Sequence, residues 1–220
     1  MKKWEPSKNL KPQDRYLNCP VAIVAVTGGI GTGKSTFCDL IESHGHSVIR
    51  ADEVVKKVYK LDEVRTRLKE RLPEVFLENE IDFKRLRTLF FNRPEIKEFI
   101  EGLIYESMPI VFNNELSKKK SNIKNSLFYE IPLLFEKKLE NKFDFIICIS
   151  LDRNEQVKRI QKRDYDGMVT SEIEKIFDSQ LSLKVKEESS HFVIINDSAT
   201  SLETGFAKFK KDFFLLIKSS

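Results

Sequence analysis

Residues Val21–Asp52 read VAIVAVTGGIGTGKSTFCDLIESHGHSVIRAD, and this stretch decides the fold. Val21 to Val26 is a short run of branched and small apolar side chains, the pattern of a strand buried on both faces. Gly28-Gly29-Ile30-Gly31-Thr32-Gly33-Lys34-Ser35 follows at once and satisfies G-x-x-x-x-G-K-[ST], the Walker A or P-loop pattern. A helix is expected over Ser35 to His44 and a second strand over Ser47 to Ile49. The strand, loop, helix order gives the motif its weight. A loop wrapped around phosphates must aim successive backbone N–H groups inward, which glycine does without a Cβ penalty, and the following helix adds its N-terminal partial charge. Residues Gly28 to Thr36 are therefore expected to cradle nucleotide phosphates. Lys34 would reach the β- and γ-phosphates, and the Ser35 hydroxyl would ligate Mg²⁺.

Outward from this unit, Ser126 to Tyr129, Phe143 to Ile149 and Phe192 to Ile195 are further strand candidates. Helical periodicity is read over Glu53 to Leu72, Phe83 to Phe91, Glu95 to Leu116, Asn154 to Lys162, Ser171 to Lys186 and Ser201 to Lys218. Strands alternating with helices argue an α/β fold, a parallel sheet with helices on both faces. Two connections are too long for simple crossovers. The organisation expected is a nucleotide-binding core of residues 21–52, 122–153 and 191–220, a helical substrate insertion at 53–121, and a helical lid at 154–190. The polar residues 1–20 form an extension, and their lack of an apolar segment argues against a secretory signal.

Composition bounds the partners. A hydrophobic fraction of 40% with 33% charged residues describes an ordinary globule, large enough at 220 residues for one sizeable core. The net charge of +4 is spread along the chain, so neither a nucleic acid nor a membrane is indicated, while a phosphorylated small molecule is compatible. A monomer or weak homo-oligomer is expected. Three cysteines without C-x-x-C spacing fit a reducing cytoplasm rather than a disulfide framework or a zinc site. The seventeen Phe, including the pairs Phe90-Phe91 and Phe213-Phe214, read as core and helix-face residues.

A P-loop alone does not separate a kinase from a GTPase or an ATPase, but no guanine-reading N-K-x-D is recognised, which counts against a GTPase, and a small chain with two helical insertions has the layout of a small-molecule kinase, in which a lid excludes water from the transferring group. The charged residues near the strand ends would complete such a site. Asp52 emerges at the carboxyl edge of the sheet, where it either engages an acceptor hydroxyl or caps the following helix. Glu130, ending the third strand, resembles the Mg²⁺-side acid of P-loop enzymes. Glu136 either acts directly or forms a cap or ion pair. Arg159 and Arg163, four residues apart on one helix, either stabilise charge on the transferring phosphoryl group or line a solvated face.

Together, "VTGGIGTGKST", Ala51-Asp52, "EIPLLFE", "FDFIICIS", "QVKRIQKRD", Gln180 and "VIIND" around Asn196 resemble dephospho-CoA kinase, in the family's order from about Val21 onward. The resemblance implies a five-stranded parallel sheet with a CoA-binding insertion and a lid. It also implies ATP with Mg²⁺ phosphorylating the ribose 3′-hydroxyl of dephospho-CoA, Asp52 as catalytic base, Arg159 and Arg163 on the lid helix, and Asn196 on the nucleotide side. Other small-molecule kinases and a non-catalytic nucleotide-binding paralogue are the alternatives. Two departures bear on the acceptor: Arg50 stands where the family usually has an acid, and Tyr105-Glu106 falls where it usually has His-Pro. A guanidinium only donates hydrogen bonds, so Arg50 either pairs with Asp52 or Glu130 or adds a phosphate contact.

Overall fold

The computed structural model describes residues 10–119, 123, 126–163, 173–174 and 177–217, with the side chains of residues 163 and 212–217 excepted. Five strands, β1 (Ala22–Gly28), β2 (Ser47–Arg50), β5 (Ser126–Glu130), β6 (Phe145–Ser150) and β7 (Phe192–Ile195), form a sheet in the order β2-β5-β1-β6-β7. All four of its pairings are parallel. The expected strands are therefore all present, each with ends shifted by at most a few residues.

Parallel strands need covered faces, and the alternation along each strand shows how they are covered. Val24, Val26, Val48, Phe128, Phe145, Ile147, Ile149 and Ile194 form one buried cluster. Helix α1 (Lys34–Ser43) contributes Phe37, Cys38 and Ile41 to that cluster, and the C-terminal helix α8 (Ser201–Ile217) contributes Leu202, Phe206 and Phe209. Phe206 meets Phe37 edge-on at 5.8 Å between ring centroids, and Phe209 contacts Phe145 at 5.4 Å. On the opposite face Tyr16 stacks on Phe143 at 5.3 Å and tilts against Tyr129 at 5.2 Å.

Tyr16 belongs to the segment before β1, which packs on the core over its described residues. Two short 3-10 turns, Pro12–Asp14 and Tyr16–Asn18, carry Arg15 to a buried pairing with Asp144. Arg15 Nε and Nη2 donate to the two Asp144 oxygens at 2.7 and 3.1 Å, and the same carboxylate accepts from the backbone N–H groups of Ile23 at 2.8 Å and Leu10 at 3.2 Å. Four donors on one buried carboxylate bind this segment to the amino-terminal edge of β1 and β6.

Residues Ala51–Lys118 form a second compact unit, the remainder of the chain the first. The second unit holds α2 (Ala51–Val58), α3 (Asp62–Arg71), α4 (Phe83–Asn92) and most of α5 (Pro94–Lys119). The single helix expected from Glu53 to Leu72 is thus two, broken around Tyr59–Leu61. The unit also contains a hairpin that the helical reading missed, β3 (Phe76–Leu77) antiparallel to β4 (Glu80–Ile81). Glu78 and Asn79 between them have φ of 47° and 70°, the double positive-φ signature of a tight hairpin turn. Strands this short have no detectable alternation, and the turn carries no glycine, so nothing local announces them. Asp82 then caps α4, its Oδ1 accepting from Lys84 N and Arg85 N at 3.0 Å each. Val54, Val58, Val64, Leu68, Ile96, Ile100 and Leu103 are among the unit's buried residues. Phe91, read as a core or helix-face residue, is 70% exposed on α4, with the Arg87 guanidinium 5.8 Å from its ring.

Candidate active site

The P-loop runs from the end of β1 to the start of α1, and its glycines are required by contact as well as by torsion. Gly28 has φ +141°, and a Cβ there would stand 2.2 Å from the Ile149 carbonyl oxygen of the adjacent strand. Gly33 has φ +97°, and a Cβ there would stand 2.3 Å from Asn196 Nδ2. Neither approach is open to another residue.

The loop is held from inside and from outside. Within it, Thr32 Oγ1 and Lys34 Nζ both donate to the Gly29 carbonyl, at 2.9 and 2.7 Å. From outside, Asn196 Nδ2 donates to the Thr32 carbonyl at 2.9 Å while Asn196 N–H donates to Ser150 O at 2.7 Å. Asn196 thus secures the loop to the end of β6, and its buried amide is spent on protein partners. Arg159, on α6 (Arg153–Arg163), donates through Nη2 to the Asn196 carbonyl at 3.0 Å, which brings it beside the loop. Arg163 is the last residue of α6, and its side chain lies outside the described residues. Much of the expected lid, residues 164–172 and 175–176, also lies outside them.

Two side chains that the sequence did not single out support this edge. Gln156 is buried, donates to Leu151 O at 2.7 Å, and its Oε1 would be 2.9 Å from a Cβ at Gly29. Lys186 is fully buried on α7 (Leu183–Glu188), pairing with Glu136 Oε1 at 2.8 Å and donating to Pro132 O at 3.0 Å. Glu136 is therefore an ion-pair residue, and it also accepts from Leu181 N at 2.9 Å. A lysine within "LKVKEE" has no local signal of burial; only the convergence of α7 on the turn after β5 supplies it.

Glu130 closes β5 beside the P-loop. Its Oε1 accepts from Ser35 Oγ at 3.0 Å and its Oε2 faces Arg50 Nε at 3.5 Å. Arg50 ends β2 in register with Glu130 and donates through Nη2 to Asp39 at 2.6 Å and Glu42 at 2.8 Å on α1. Burial opposes the guanidinium charge, but Glu42 and the neighbouring acids outweigh it, so its pKa is raised. The hydroxyl of Ser35 and the carboxylate of Glu130 are hard oxygen donors. That donor set fits Mg²⁺, which takes one or two protein oxygens and fills the rest of its shell from phosphates and water.

Asp52 is the second residue of α2 and exposed. It lies inside the first turn rather than at the cap, where a carboxylate favours the helix dipole. In the same unit Tyr105 is 46% exposed and Glu106 pairs with Arg67 at 2.9 Å. All three cysteines are free and buried; burial raises the Cys38 thiol pKa and pushes Cys148 up to about 12, which leaves both unreactive.

One tetrapeptide that sequence reasoning passed over is Asn141-Lys142-Phe143-Asp144, which spells the guanine-reading N-K-x-D. Its Asp144 is committed to Arg15 and lies just before β6, whereas the P-loop leaves the opposite, carboxyl edge of the sheet. It cannot read a base held at that loop.

Among the described residues no helix is long and apolar enough to cross a membrane. The family model for dephospho-CoA kinase matches residues 22–201. The dephospho-CoA kinase of Fusobacterium nucleatum subsp. nucleatum is 31% identical over 87% of this chain and 96% of its own length. That of Wolinella succinogenes is 32% identical over 86% and 96%. Among solved structures, TT1252 from Thermus thermophilus superposes with a TM-score of 0.78 at 26% identity, covering 86% of this chain and 95% of its own. Dephospho-CoA kinase from Campylobacter jejuni gives 0.62 at 27%, covering 87% and 96%. With the family model matched over residues 22–201 and relatives at 31% and 32% identity over most of its length, this chain belongs to the dephospho-CoA kinase family.

Proposed function

We propose that this chain transfers the γ-phosphoryl group of ATP to the ribose 3′-hydroxyl of dephospho-CoA, giving coenzyme A and ADP. The observation that carries this reading is the family match over residues 22–201, which begins at the first residue of β1 and so takes in the whole P-loop cradle.

In this reading the backbone N–H groups from Gly28 to Thr36 bind the β- and γ-phosphates, with Ile30 contributing its N–H at the crest of the loop. Lys34, whose Nζ donates to Gly29 O at the mouth of the loop, reaches the phosphates and stabilises their charge. Ser35 and Glu130 would hold Mg²⁺, Glu130 directly or through water, and the ion would supply positive charge against the phosphates. Arg159, already at the rim of the loop, and Arg163, one turn further along α6, stabilise the equatorial oxygens of the transferring group. Asn196 keeps the loop in its binding shape. Asp52 accepts the proton of the 3′-hydroxyl, and residues 51–118 recognise the rest of the acceptor. The lid, residues 154–190, excludes water during transfer.

The test is coupled ADP release with Mg·ATP, with and without dephospho-CoA, with coenzyme A identified by mass. Dephospho-CoA-dependent turnover is expected. Asp52→Asn should retain ATP binding while kcat falls by about 10²-fold, the usual scale for losing a positioned base. ATP binding without coenzyme A formation sinks the assignment, and near-normal kcat in Asp52→Asn removes Asp52 from the mechanism.

A further inference from the structure

Arg50 sits in a cluster of acidic side chains beside the P-loop. Its guanidinium, with only 18% of the side chain exposed, faces Asp39 at 2.6 Å, Glu42 at 2.8 Å and Glu130 at 3.5 Å. Glu42 is shared with Lys119 at 3.2 Å, so three carboxylates meet two cations. The arrangement divides the Glu130 carboxylate between two partners: Oε1 goes to the Ser35 hydroxyl and Oε2 to Arg50. It also joins three elements that meet at the carboxyl edge of the sheet, namely the end of β2, the end of β5 and the helix that issues from the P-loop.

From this geometry we infer that Arg50 is a positioning residue that turns Glu130 toward Ser35 and sets how tightly this oxygen pair holds a divalent cation. The inference rests on the reading of Ser35 and Glu130 as the Mg²⁺ side of the site. The guanidinium has no acceptor and cannot ligate a metal. Its charge, placed against the far oxygen of Glu130, lowers the negative potential that the near oxygen offers to a cation. The fork geometry lets one side chain engage Glu130 and the two acids of α1 together. Arg50 therefore weakens the metal site while holding its carboxylate in place, which favours a cation that arrives and leaves with the nucleotide over a permanently bound one.

The experiment measures ADP affinity calorimetrically on the full chain, in EDTA and over a series of Mg²⁺ concentrations. The Mg²⁺ concentration giving half the gain in ADP affinity reports the metal site without turnover. In Arg50→Met this half-point should fall by about 5- to 10-fold, the scale of one unit charge acting on a divalent ion about 7 Å away at the dielectric of bulk water. Arg50→Lys, which restores the charge, should lie within about 2-fold of wild type. Asp39→Asn is a second variant that leaves the fold intact, since Asp39 is 70% exposed; it removes a competitor for Arg50 and should raise the half-point. Ser35→Ala is the control and should abolish most of the gain. If wild type shows the gain and Ser35→Ala loses it, but Arg50→Met stays at the wild-type half-point, Arg50 has no influence on the metal and the inference is overturned while the Mg²⁺ assignment stands. A half-point that falls in Asp39→Asn overturns it equally. If wild type shows no gain, the Mg²⁺ assignment fails and takes this inference with it.

Discussion

Replacing Asn196 by alanine tests whether the phosphate cradle is shaped by its outside support. The Asn196 amide donates to Thr32 O at 2.9 Å, and Thr32 is fully buried, so no water replaces the lost donor. A typical buried hydrogen bond contributes about 1 kcal/mol net, and an orphaned buried carbonyl costs about 1–3 kcal/mol, so about 2 kcal/mol is expected at this point. If that cost falls on the nucleotide-competent shape of the loop, ADP or ATP affinity drops by up to about 30-fold. If it is shared with the fold as a whole, the drop is smaller and the urea midpoint falls as well. Asn196→Asp separates shape from bonding. It is nearly isosteric, but its carboxylate directs a second acceptor at Thr32 O and should weaken nucleotide binding at least as much as alanine. Titration calorimetry with ADP and urea denaturation, run on both variants, give the two quantities. Affinities within about 2-fold of wild type and an unchanged midpoint in both variants would show that the cradle holds its shape without this contact, refuting the argument.

The remaining predictions concern stability away from the loop. Arg15→Met leaves the buried Asp144 carboxylate without its cation and should cost about 3–5 kcal/mol in denaturant unfolding. ADP affinity of the folded variant should stay within about 2-fold, because Asp144 lies at the sheet edge opposite the P-loop. A loss below about 1 kcal/mol would mean that the segment before β1 is not integral to the core. His191 is half-buried against Phe145, its Nδ1 accepts from Ile146 N at 3.0 Å, and this partial burial lowers its pKa below the ordinary 6.5. The unfolded chain then takes up this proton first as pH falls. Stability should be full above about pH 6.5 and decline below it until the folded pKa is reached. His191→Asn, which keeps an acceptor, should flatten the dependence of the urea midpoint between about pH 7 and pH 5, and an unchanged slope would exclude His191 as its source.

What sequence alone determined is what contiguous residues can encode. The P-loop is one unbroken octapeptide whose torsional demands are met by glycine, and the sheet strands announce themselves as apolar runs because covered sheet faces favour apolar side chains. Those signals gave the α/β class, the phosphate site and the long interruption between β2 and β5. The hairpin at Phe76–Ile81 escaped because two residues per strand carry no period and its turn uses Glu78 and Asn79 rather than glycine. The tertiary structure decided everything that depends on partners distant in sequence. Asn196 reaches Thr32 across 164 positions, Ser35 reaches Glu130 across 95, and Arg15 reaches Asp144 across 129. Lys186 appears in sequence as one more surface lysine, yet it is buried against Glu136. Arg50 was visible as a sign reversal, and its meaning was not, because a charge is defined by the field around it. That field is assembled here by Asp39, Glu42 and Glu130, residues that only the packing of α1 and β5 brings to the end of β2.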